Sequence, residues 1–438
     1  NTLILCGPGN NGGDGLLIAK FFNENKMDVT IYSPLGVGKT KDSKKAFNLV
    51  EKNNFFKKKI IINEYDLIID CLFGVGFNRS FSKDLSFFIN ELNQSQSNIV
   101  SIDMPSGVYT DSGAIHSIAV KANKTLTFHR LKPGLILLPG KEFSGSIEIL
   151  DIGISNLDNK TNIYLLHPPK LKEIKKADHK YKRGTTYIIA GKELIGASKL
   201  ATLAASQSSL RIGAGVSKIL INESDINYFK PHILEEMIVR YDNIDDLKNK
   251  IKNLNIDSLI YGCGIEISEQ NKELLSFLLI QSFKIVLDAS AFSLMTKDKN
   301  LFIKLLYNRN CKTVLTPHKG EFEKIFSTSE NKLNDCLNAA KKTNSIILYK
   351  GNDTIIASPE SNIYINNIGS PNLATSGSGD VLSGIIGGLL SQDYSILDAT
   401  KLGCYIHSEC GNRLGRGLIA SDLIAEIPNI LKEMMISN

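Results

Sequence analysis

Tryptophan is absent from this chain of 438 residues, which also lacks paired cysteines, long apolar runs and dense arginine clusters. The seven cysteines are odd in number and form no C-x-x-C pair. This pattern argues against a disulfide framework or a zinc site and for reduced, buried thiols in a cytoplasmic setting. No apolar run approaches the ~18 residues of a membrane span. A net charge of +6 without an arginine cluster does not indicate nucleic-acid binding. It suggests only that the ligands are anionic.

The length predicts two domains. Short apolar runs alternate with helical patterns on both sides of a polar, lysine-rich region near 157–182, so we expect domains at 1–160 and 170–438. Buried runs that end in polar loops are typical of parallel strands, and both halves are expected to be α/β/α sandwiches. Because the chain starts at Asn1, without Met and directly on a strand, we expect the natural protein to extend upstream.

The first polar loop, "GPGNNGGDG" at 7–15, fits the G-x-G-x-x-G pattern of dinucleotide-binding domains. The surrounding sequence does not fit such a domain. Three further residues precede the helix, and strand 29–32 is followed by Ser33 and Pro34, where a dinucleotide-binding domain has an acid. "GVGKT" at 36–40 also fails as a Walker A loop, since Ser33 replaces its first glycine. What remains is a loop whose glycines let backbone N–H groups approach an anionic ligand closely.

Oxygen-bearing side chains follow three predicted strands, at Asn11, Asp70 and Ser106. Carboxyl ends of neighbouring parallel strands share one edge, so these side chains could line one crevice and suit a hard cation. The alternative is that each residue only forms a turn or a cap, for which Asn, Asp, Ser and Gly are ordinary choices. For a single loop the two interpretations are about equally supported; three such loops favour a site.

Three motifs, "GPGNNGGDG", "DCLFGVGFNRS" and "SIDMPSGVYTDSG", resemble in order and spacing those of the NAD(P)H-hydrate epimerase domain. The resemblance implies a Rossmann-like sandwich that binds damaged nicotinamide dinucleotide, and a potassium ion at Asn11, Asp70 and Ser106. It implies proton transfer by Asp103, whose alternative role is to cap the turn that follows. The substrate-binding positions that it implies are Asn10, Asn11, Gly12, Gly13, Asp14, Gly74, Val75, Gly76, Phe77, Asn78, Arg79, Ser80 and Asp103. Val75 departs from the usual Thr, and the family has helices before the first strand.

Near the C-terminus, "GSGD" at 377–380 leads into an apolar helix. Successive N–H groups there can form an anion hole for phosphoryl oxygens, and Asp380 can accept a proton from a hydroxyl. The alternative is a mere helix-terminal charge worth about 0.5 kcal/mol. We expect the helix N-terminus to lower the pKa of Asp380, which would make it an ionised but modest base. Gly384, Gly387 and Gly388 are expected to serve close helix packing.

Together with "KYKRGTTYIIAGKELIGASKLA", "LTPHKGEFEKIF" and "LYKGNDTIIAS", this motif resembles the ADP/ATP-dependent NAD(P)H-hydrate dehydratase domain of the ribokinase-like superfamily, from about 170 to the C-terminus. The resemblance implies Mg²⁺ with ADP or ATP, and Asp380 as the base. It implies contacts to the hydrated dinucleotide from Ala197, Gly264, His318 and Asp380. It implies contacts to the nucleotide from Lys350, Gly351, Asn352, Asp353, Thr354 and Gly379. Departures are Ser376 and Ser378 for Gly and Thr, Cys263 for Pro, and Ser290 for an acid.

We therefore expect a fused repair enzyme that interconverts the R and S hydrates of NADH and NADPH and dehydrates the S form with an adenine nucleotide. The fused architecture suggests ADP, and a homo-oligomer is expected. Two alternatives remain: a ribokinase-like vitamin or sugar kinase with an accessory module, because that scaffold serves many alcohols, and a first domain that binds nucleotide without turnover. His318 and Lys350 alone could also be a turn residue and a solvated strand end.

Overall fold

The computed structural model describes residues 1–50, 55–155, 161–192, 195–310 and 312–436. The chain divides into two compact units, Asn1–Asn159 and Lys160–Asn438, and each is described by itself. Part of the predicted boundary region (156–160), together with Cys311, lies outside the described residues.

Unit 1 contains a six-stranded parallel sheet in the order β2-β1-β3-β4-β5-β6. The strands are β1 (Thr2–Cys6), β2 (Val29–Tyr32), β3 (Leu67–Cys71), β4 (Asn98–Ile102), β5 (Lys124–Phe128) and β6 (Ser146–Leu150). The helices are α1 (Asn10–Glu24), α2 (Lys41–Val50) and α3 (Lys83–Gln94). The strand order reverses between β1 and β3, and in open parallel sheets ligands bind in the crevice at such a point.

Strand β1 shows why this unit forms three layers. Ile4 and Cys6 belong to a core cluster with α1 and α2, whereas Leu3 and Leu5 belong to a separate cluster with α3. Side chains alternate between the faces of a strand, so a continuous apolar run requires cover on both sides. The sequence expectation of doubly covered parallel strands is confirmed.

Unit 2 is built on a ten-stranded sheet in the order β10-β9-β8-β11-β12-β13-β14-β15-β16-β7. The pairs β14–β15 and β15–β16 are antiparallel and the others are parallel. The strands are β7 (Ile163–Leu165), β8 (Thr185–Ile189), β9 (Val216–Asn222), β10 (Met237–Tyr241), β11 (Ser258–Tyr261), β12 (Lys284–Leu287), β13 (Thr313–Leu315), β14 (Ile346–Tyr349), β15 (Ile355–Ala357) and β16 (Ile363–Ile365).

The helices of unit 2 continue the numbering of unit 1. They are α4 (Ile195–Arg211), α5 (Ile226–Phe229), α6 (Ile244–Asn253), α7 (Glu269–Leu279), α8 (Ser290–Met295), α9 (Lys299–Tyr307), α10 (Lys319–Ile325), α11 (Lys332–Thr343), α12 (Ser378–Ser391), α13 (Ile396–Leu414) and α14 (Ala420–Ile436). Helices α4, α12, α13 and α14 share one large apolar cluster with the central strands. No helix among the described residues is both long and apolar enough to cross a membrane.

Glycines set the position of α12. A Cβ on Gly384 would lie 1.9 Å from Ser208 Oγ and 2.2 Å from Ala205 O, both on α4. Gly387 faces Ile260 of the sheet at a similarly short distance. The expected packing role of these glycines is confirmed, and it draws the N-terminal end of α12 close to the loops that follow the parallel strands.

Candidate active sites

The first candidate site lies where the loops after β1, β3 and β4 meet. Asp103 directly follows β4 with a left-handed φ of 68°, and its N–H donates to Leu126 O of β5 at 2.7 Å. Its Oδ2 accepts from Val75 N at 3.1 Å. A Cβ on Gly74 would lie 2.8 Å from the same oxygen and 3.4 Å from Asn11 Cγ, so glycine permits this close approach. Asn11, Gly74, Val75 and Asp103 therefore form one cluster.

Asp70, at the end of β3, is fully buried. Its carboxylate accepts hydrogen bonds from Ser101 Oγ, from the N–H and Oγ of Ser106 and from Leu72 N, at 2.6–3.2 Å. All of these donors are neutral, and burial raises the pKa of Asp70 despite them. Nearby in the same loop cluster, the buried Oδ1 of Asn11 has no hydrogen-bond partner. Such an oxygen-rich, uncompensated environment fits a cation.

The rest of the glycine-rich motif, from Asn10 onward, belongs to helix α1. A Cβ on Gly12 would lie 1.8 Å from Gly7 O, and one on Gly13 would lie 3.1 Å from Ser43 Cα of α2. Asn10 accepts a hydrogen bond from Thr40 Oγ1. Burial, with a contribution from the charge of Asp103, raises the pKa of Asp14 to about 6. Asp14 is thus close enough to Asp103 for the charge of Asp103 to affect its pKa.

The loop after β3 divides into a buried and an exposed part. Phe77 is buried in an aromatic cluster with Phe73, Phe81 and Tyr109. Val75, Gly76, Asn78, Arg79 and Ser80 are exposed. The guanidinium of Arg79 stacks over the ring of Phe73 at 5.7 Å. The loop is therefore anchored at Phe77, while its polar side chains remain free to meet a ligand.

The second candidate site is a cavity of about 730 Å³ in unit 2. Its volume lies within the usual range for small-molecule sites. Among the sequence-predicted residues, the following line it: His318, Lys350, Gly351, Asn352, Thr354, Gly379 and Asp380. Asp353 is not among its lining residues, because its carboxylate, 4% exposed, turns to Lys332 Nζ at 2.6 Å. Thr354 Oγ1 donates to Gly351 O and closes the turn between them.

An ion pair lies at the floor of this cavity. Lys350 Nζ donates to Asp288 Oδ1 at 2.7 Å and lies 3.9 Å from Glu321 Oε2. Burial opposes the charge of Lys350, but Asp288 and Glu321 raise its pKa. Asp288 Oδ2 accepts from Ser383 Oγ of α12 at 2.8 Å. Lys350 is therefore a buried, fixed ammonium and not a solvated strand end.

Asp380 lies beside this pair, and here the sequence expectation is wrong. Burial first, and then the charge of Asp288, raise the pKa of Asp380 to about 6, although the helix N-terminus was expected to lower it. A hydrogen bond from the Cys263 thiol and the charge of Lys350 act in the opposite direction without prevailing. Desolvation inside the cavity, together with the neighbouring charge of Asp288, outweighs the helix terminus. A carboxylate with this pKa is a stronger base than the one predicted.

Cys263 is the buried thiol that stands in place of the usual proline. Its Sγ and the nearest carboxylate oxygens of Asp288 and Asp380 all lie within 4.8 Å of one another. Burial, together with the charges of both acids, raises the pKa of Cys263 well above its usual value. The thiol is therefore protonated and acts as a hydrogen-bond donor to Asp380. Ser290, where an acid was expected, begins α8 just after Asp288.

His318 has a structural role as well as a place at the cavity. It is the N-cap of α10, where Nδ1 accepts from Glu321 N while His318 N donates to Glu321 Oε2. This reciprocal arrangement is a capping box. It brings Glu321 to Lys350, so the turn role and the site role of His318 coexist.

Ala197 and Gly264 meet at a neighbouring point, where a Cβ on Gly264 would lie 3.1 Å from Ala197 O and 2.5 Å from Ser198 Cα. Gly264 has a φ of 67°, which favours glycine. On its other side, a Cβ on Gly191 would lie 2.0 Å from Gly264 O. Gly191 lines a second, polar cavity of about 340 Å³ at the ends of β8, β9, β10 and β11.

Sequence reasoning missed Asp288 and His407 of α13, which line the larger cavity, and Ser383, which donates to Asp288 from α12. His407 Nε2 lies 3.0 Å from Ser378 Oγ and 2.9 Å from Ser378 O, and burial lowers the pKa of His407 to about 4. A neutral imidazole therefore holds the first residue of α12. No local pattern marks His407, since it occupies the interior of an ordinary amphipathic helix.

Comparison with known proteins places both units. A family described as NAD(P)H-hydrate dehydratase matches residues 186–432, and one described as YjeF-related protein N-terminus matches residues 1–134. A bifunctional NAD(P)H-hydrate repair enzyme from Dictyoglomus turgidum is 32% identical, over 99% of this chain and 89% of its own length.

Two of the solved structures that resemble this chain are similar to unit 2. A ribokinase-like superfamily protein from Enterococcus faecalis has a TM-score of 0.56 at 20% identity and covers 64% of this chain and 99% of its own; it supports the fold. An ADP/ATP-dependent NAD(P)H-hydrate dehydratase from Bacillus subtilis, co-crystallised with ATP and Mg²⁺, has a TM-score of 0.50 at 25% identity and covers 60% and 95%. With both family matches and a relative along nearly its whole length, the chain belongs to the bifunctional NAD(P)H-hydrate repair enzymes.

Proposed function

We propose that unit 2 dehydrates the S hydrate of NADH and NADPH at the expense of an adenine nucleotide, with Asp380 as the base. The observation that carries this assignment is the position of Asp380 in the large cavity, next to the buried ammonium of Lys350. Asp380 takes the proton of the added hydroxyl while that oxygen receives a phosphoryl group from the nucleotide. Phosphate then leaves with the C–O bonding electrons, and loss of a proton from the adjacent carbon restores the double bond.

The nucleotide contacts are part of the same proposal. Gly351, Asn352 and Thr354 line the cavity on one side and Gly379 on the other, beside Lys350 Nζ. The ammonium and the N–H groups that begin α12 then neutralise and orient phosphoryl oxygens. Asp353 contributes through the backbone of the turn, since its carboxylate is held by Lys332.

Magnesium is expected to enter with the nucleotide. The carboxylates of Asp288 and Asp380 fit a hard cation, but Lys350 already compensates Asp288, and the thiol of Cys263 is a poor magnesium ligand. When bound, the ion supplies charge neutralisation on the transferring phosphoryl group. The Bacillus subtilis relative crystallised with ATP and Mg²⁺ supports this assignment. The preference for ADP stays a prediction.

The hydrated dinucleotide reaches Asp380 from the side of Ala197 and Gly264 in this proposal. These residues adjoin Cys263, which contacts Asp380, and Gly191 of the smaller cavity adjoins Gly264. The smaller cavity therefore gives the remainder of the dinucleotide a polar place to lie. His318 approaches the same substrate from the loop after β13.

For unit 1 we propose epimerisation of the two hydrates. Water adds to an enamine at the carbon bonded to nitrogen, so the hydroxyl-bearing carbon of the hydrate also carries the ring nitrogen. The hydroxyl proton passes to Asp103 as the carbon–nitrogen bond opens to an aldehyde, and it returns to oxygen after nitrogen adds to the other face. Asn10, Gly12, Gly13 and Asp14 offer backbone and polar contacts to the dinucleotide. The residues from Gly74 to Ser80 close the site from the opposite loop.

A potassium ion beside these loops completes the proposal for unit 1. The buried carboxylate of Asp70, the orphaned Oδ1 of Asn11 and the hydroxyl of Ser106 are hard oxygen donors that fit it. Its role would be to hold the loops after β1 and β3 together. A reducing, cytoplasmic setting fits the six free cysteines that are buried among the described residues, and it belongs to the proposal. The homo-oligomer stays a prediction.

Replacing Asp380 with Asn should lower dehydration of purified S hydrate by about a thousandfold, because an amide cannot accept the hydroxyl proton. Recovery of NADH absorbance with ADP or ATP measures the rate, and calorimetry should show unchanged nucleotide binding. Asp393→Asn, at a 94% exposed side chain, is the matched control. Wild-type rates in Asp380→Asn would leave Asp380 with only a capping role. If the unaltered protein restores S hydrate with neither nucleotide, the dehydratase proposal is wrong.

The pH dependence of dehydration should follow Asp380. Since its pKa is raised to about 6 and the base must be ionised, kcat/KM should be level above about pH 7 and fall about tenfold per unit below pH 6. Initial rates between pH 5 and 8.5 at low substrate give this profile. A profile that stays flat down to pH 5 would contradict the assigned pKa.

Replacing Asp103 with Asn should abolish conversion of R hydrate while leaving dehydration of S hydrate intact, because the two reactions use different units. Chromatographic separation of the epimers measures conversion. The exposed Asp111, on the loop that follows, provides the control variant Asp111→Asn. If the unaltered protein leaves R hydrate inert, unit 1 is a binding module and the epimerase proposal fails.

Exchanging potassium for tetramethylammonium should lower epimerisation, since this large cation cannot accept the oxygen ligands of Asp70 and Asn11. The same salt exchange is made with the variant Asn11→Ala, whose epimerisation should be slow in either salt. Equal epimerisation rates in both salts for the unaltered protein would count against the potassium site.

A further inference from the structure

Lys132 is a largely buried cation of unit 1 that has no part in the function proposed so far. It follows β5, and its side chain is 15% exposed. Its Nζ donates to Asp103 Oδ1 at 2.8 Å, Thr127 Oγ1 at 2.8 Å and Phe128 O at 2.7 Å. An ammonium has three protons, so each of them is committed to one acceptor. Lys132 is therefore fixed in position and has no proton left to offer a ligand.

The carboxylate of Asp103 is held from two directions. Lys132 binds Oδ1, and Val75 N, on the loop that is proposed to meet the substrate, binds Oδ2. Thr127 and Phe128 belong to β5, so the lysine ties Asp103 to the rigid sheet, while Val75 ties it to the loop. The side chain of Asp103 is only 11% exposed, and this double attachment determines its orientation.

The charges around Asp103 explain why a cation is needed there. Lys132 faces it from the loop after β5, and Asp14 faces it from α1. Asp70 lies on the adjacent β3 and is linked to the following loop through Ser106. Burial raises the pKa of Asp14, and the nearby charge of Asp103 adds to that rise. Without the ammonium, Asp103 would be a carboxylate among carboxylates, with Val75 N as the remaining contact that holds its side chain.

We propose that Lys132 is a positioning residue for epimerisation, whose ion pair holds the carboxylate of Asp103 directed at the hydroxyl of the hydrated ring. This proposal rests on the epimerase function proposed for unit 1. Lys132 itself transfers no proton: the hydroxyl proton goes to Asp103 as the ring opens and returns as it closes. A salt-bridged carboxylate remains available as a base at pH values where a free pair of acids would share a proton.

The test uses the full chain with Lys132→Gln, and it measures epimerisation of R hydrate between pH 5.5 and 9.5. We expect kcat at pH 7 to fall about a hundredfold. The acidic limb of the pH–rate profile should shift to higher pH, so that activity partly recovers near pH 9. Dehydration of S hydrate by the same sample should be unchanged. Lys124→Gln is the matched control, because Lys124 begins β5, the strand that Lys132 follows, and forms an exposed ion pair with Glu148.

A second variant separates charge from folding. Lys132→Arg keeps the cation, so its acidic limb should stay at the wild-type position even if its rate falls. An unmoved limb in Lys132→Gln, or a limb that shifts equally in both variants, would overturn the proposal. If Lys132→Gln loses the thermal transition of unit 1, the Lys132→Arg variant alone tests the proposal. A shifted acidic limb in Lys132→Arg would then contradict the positioning role of Lys132. Failure of the epimerase proposal is distinct, since the unaltered protein would then leave R hydrate inert.

Discussion

A carboxylate withdrawn from water and bound by one lysine, at the carboxyl edge of a parallel sheet, organises each of the two sites. In unit 1 the pair is Asp103 with Lys132, and in unit 2 it is Asp288 with Lys350. Breaking a buried pair of this kind costs about 3–5 kcal/mol, because the remaining charge is left uncompensated. The loops that carry these residues are therefore held together by an interaction that the fold cannot easily lose. The remaining polar groups are arranged around that fixed charge.

The two units use this device differently. In unit 1 the paired carboxylate is itself the proposed base, so its lysine holds the base directly. In unit 2 the paired carboxylate, Asp288, is a neighbour of the base, and its residual charge helps to raise the pKa of Asp380 to about 6. Lys350 satisfies Asp288 and also presents positive charge to the phosphoryl site. One lysine thus holds the proposed base of unit 1, and the other lies where it could serve the phosphoryl group in the reaction proposed for unit 2.

Much of this architecture could be predicted from local sequence. The run 29–32 forms a strand with the predicted bounds, because apolar residues flanked by turn residues favour a short buried strand. The glycine loops could be placed as well, since close backbone contacts tolerate no Cβ. The lysine partners could not be predicted: 29 residues separate Asp103 from Lys132 and 62 separate Asp288 from Lys350, and only the sheet order brings them together. The expected pKa of Asp380 failed for the same reason, because burial by several loops is a tertiary property.

The thiol of Cys263 shapes how the second site responds to reactive chemicals. Alkylating agents and peroxides attack thiolates, and two neighbouring carboxylates together with burial keep this sulfur protonated. A cysteine within hydrogen-bond reach of the base is thereby made inert by the groups that it serves. The groups around Asp380 therefore slow alkylation and oxidation of the sulfur atom that lies beside them.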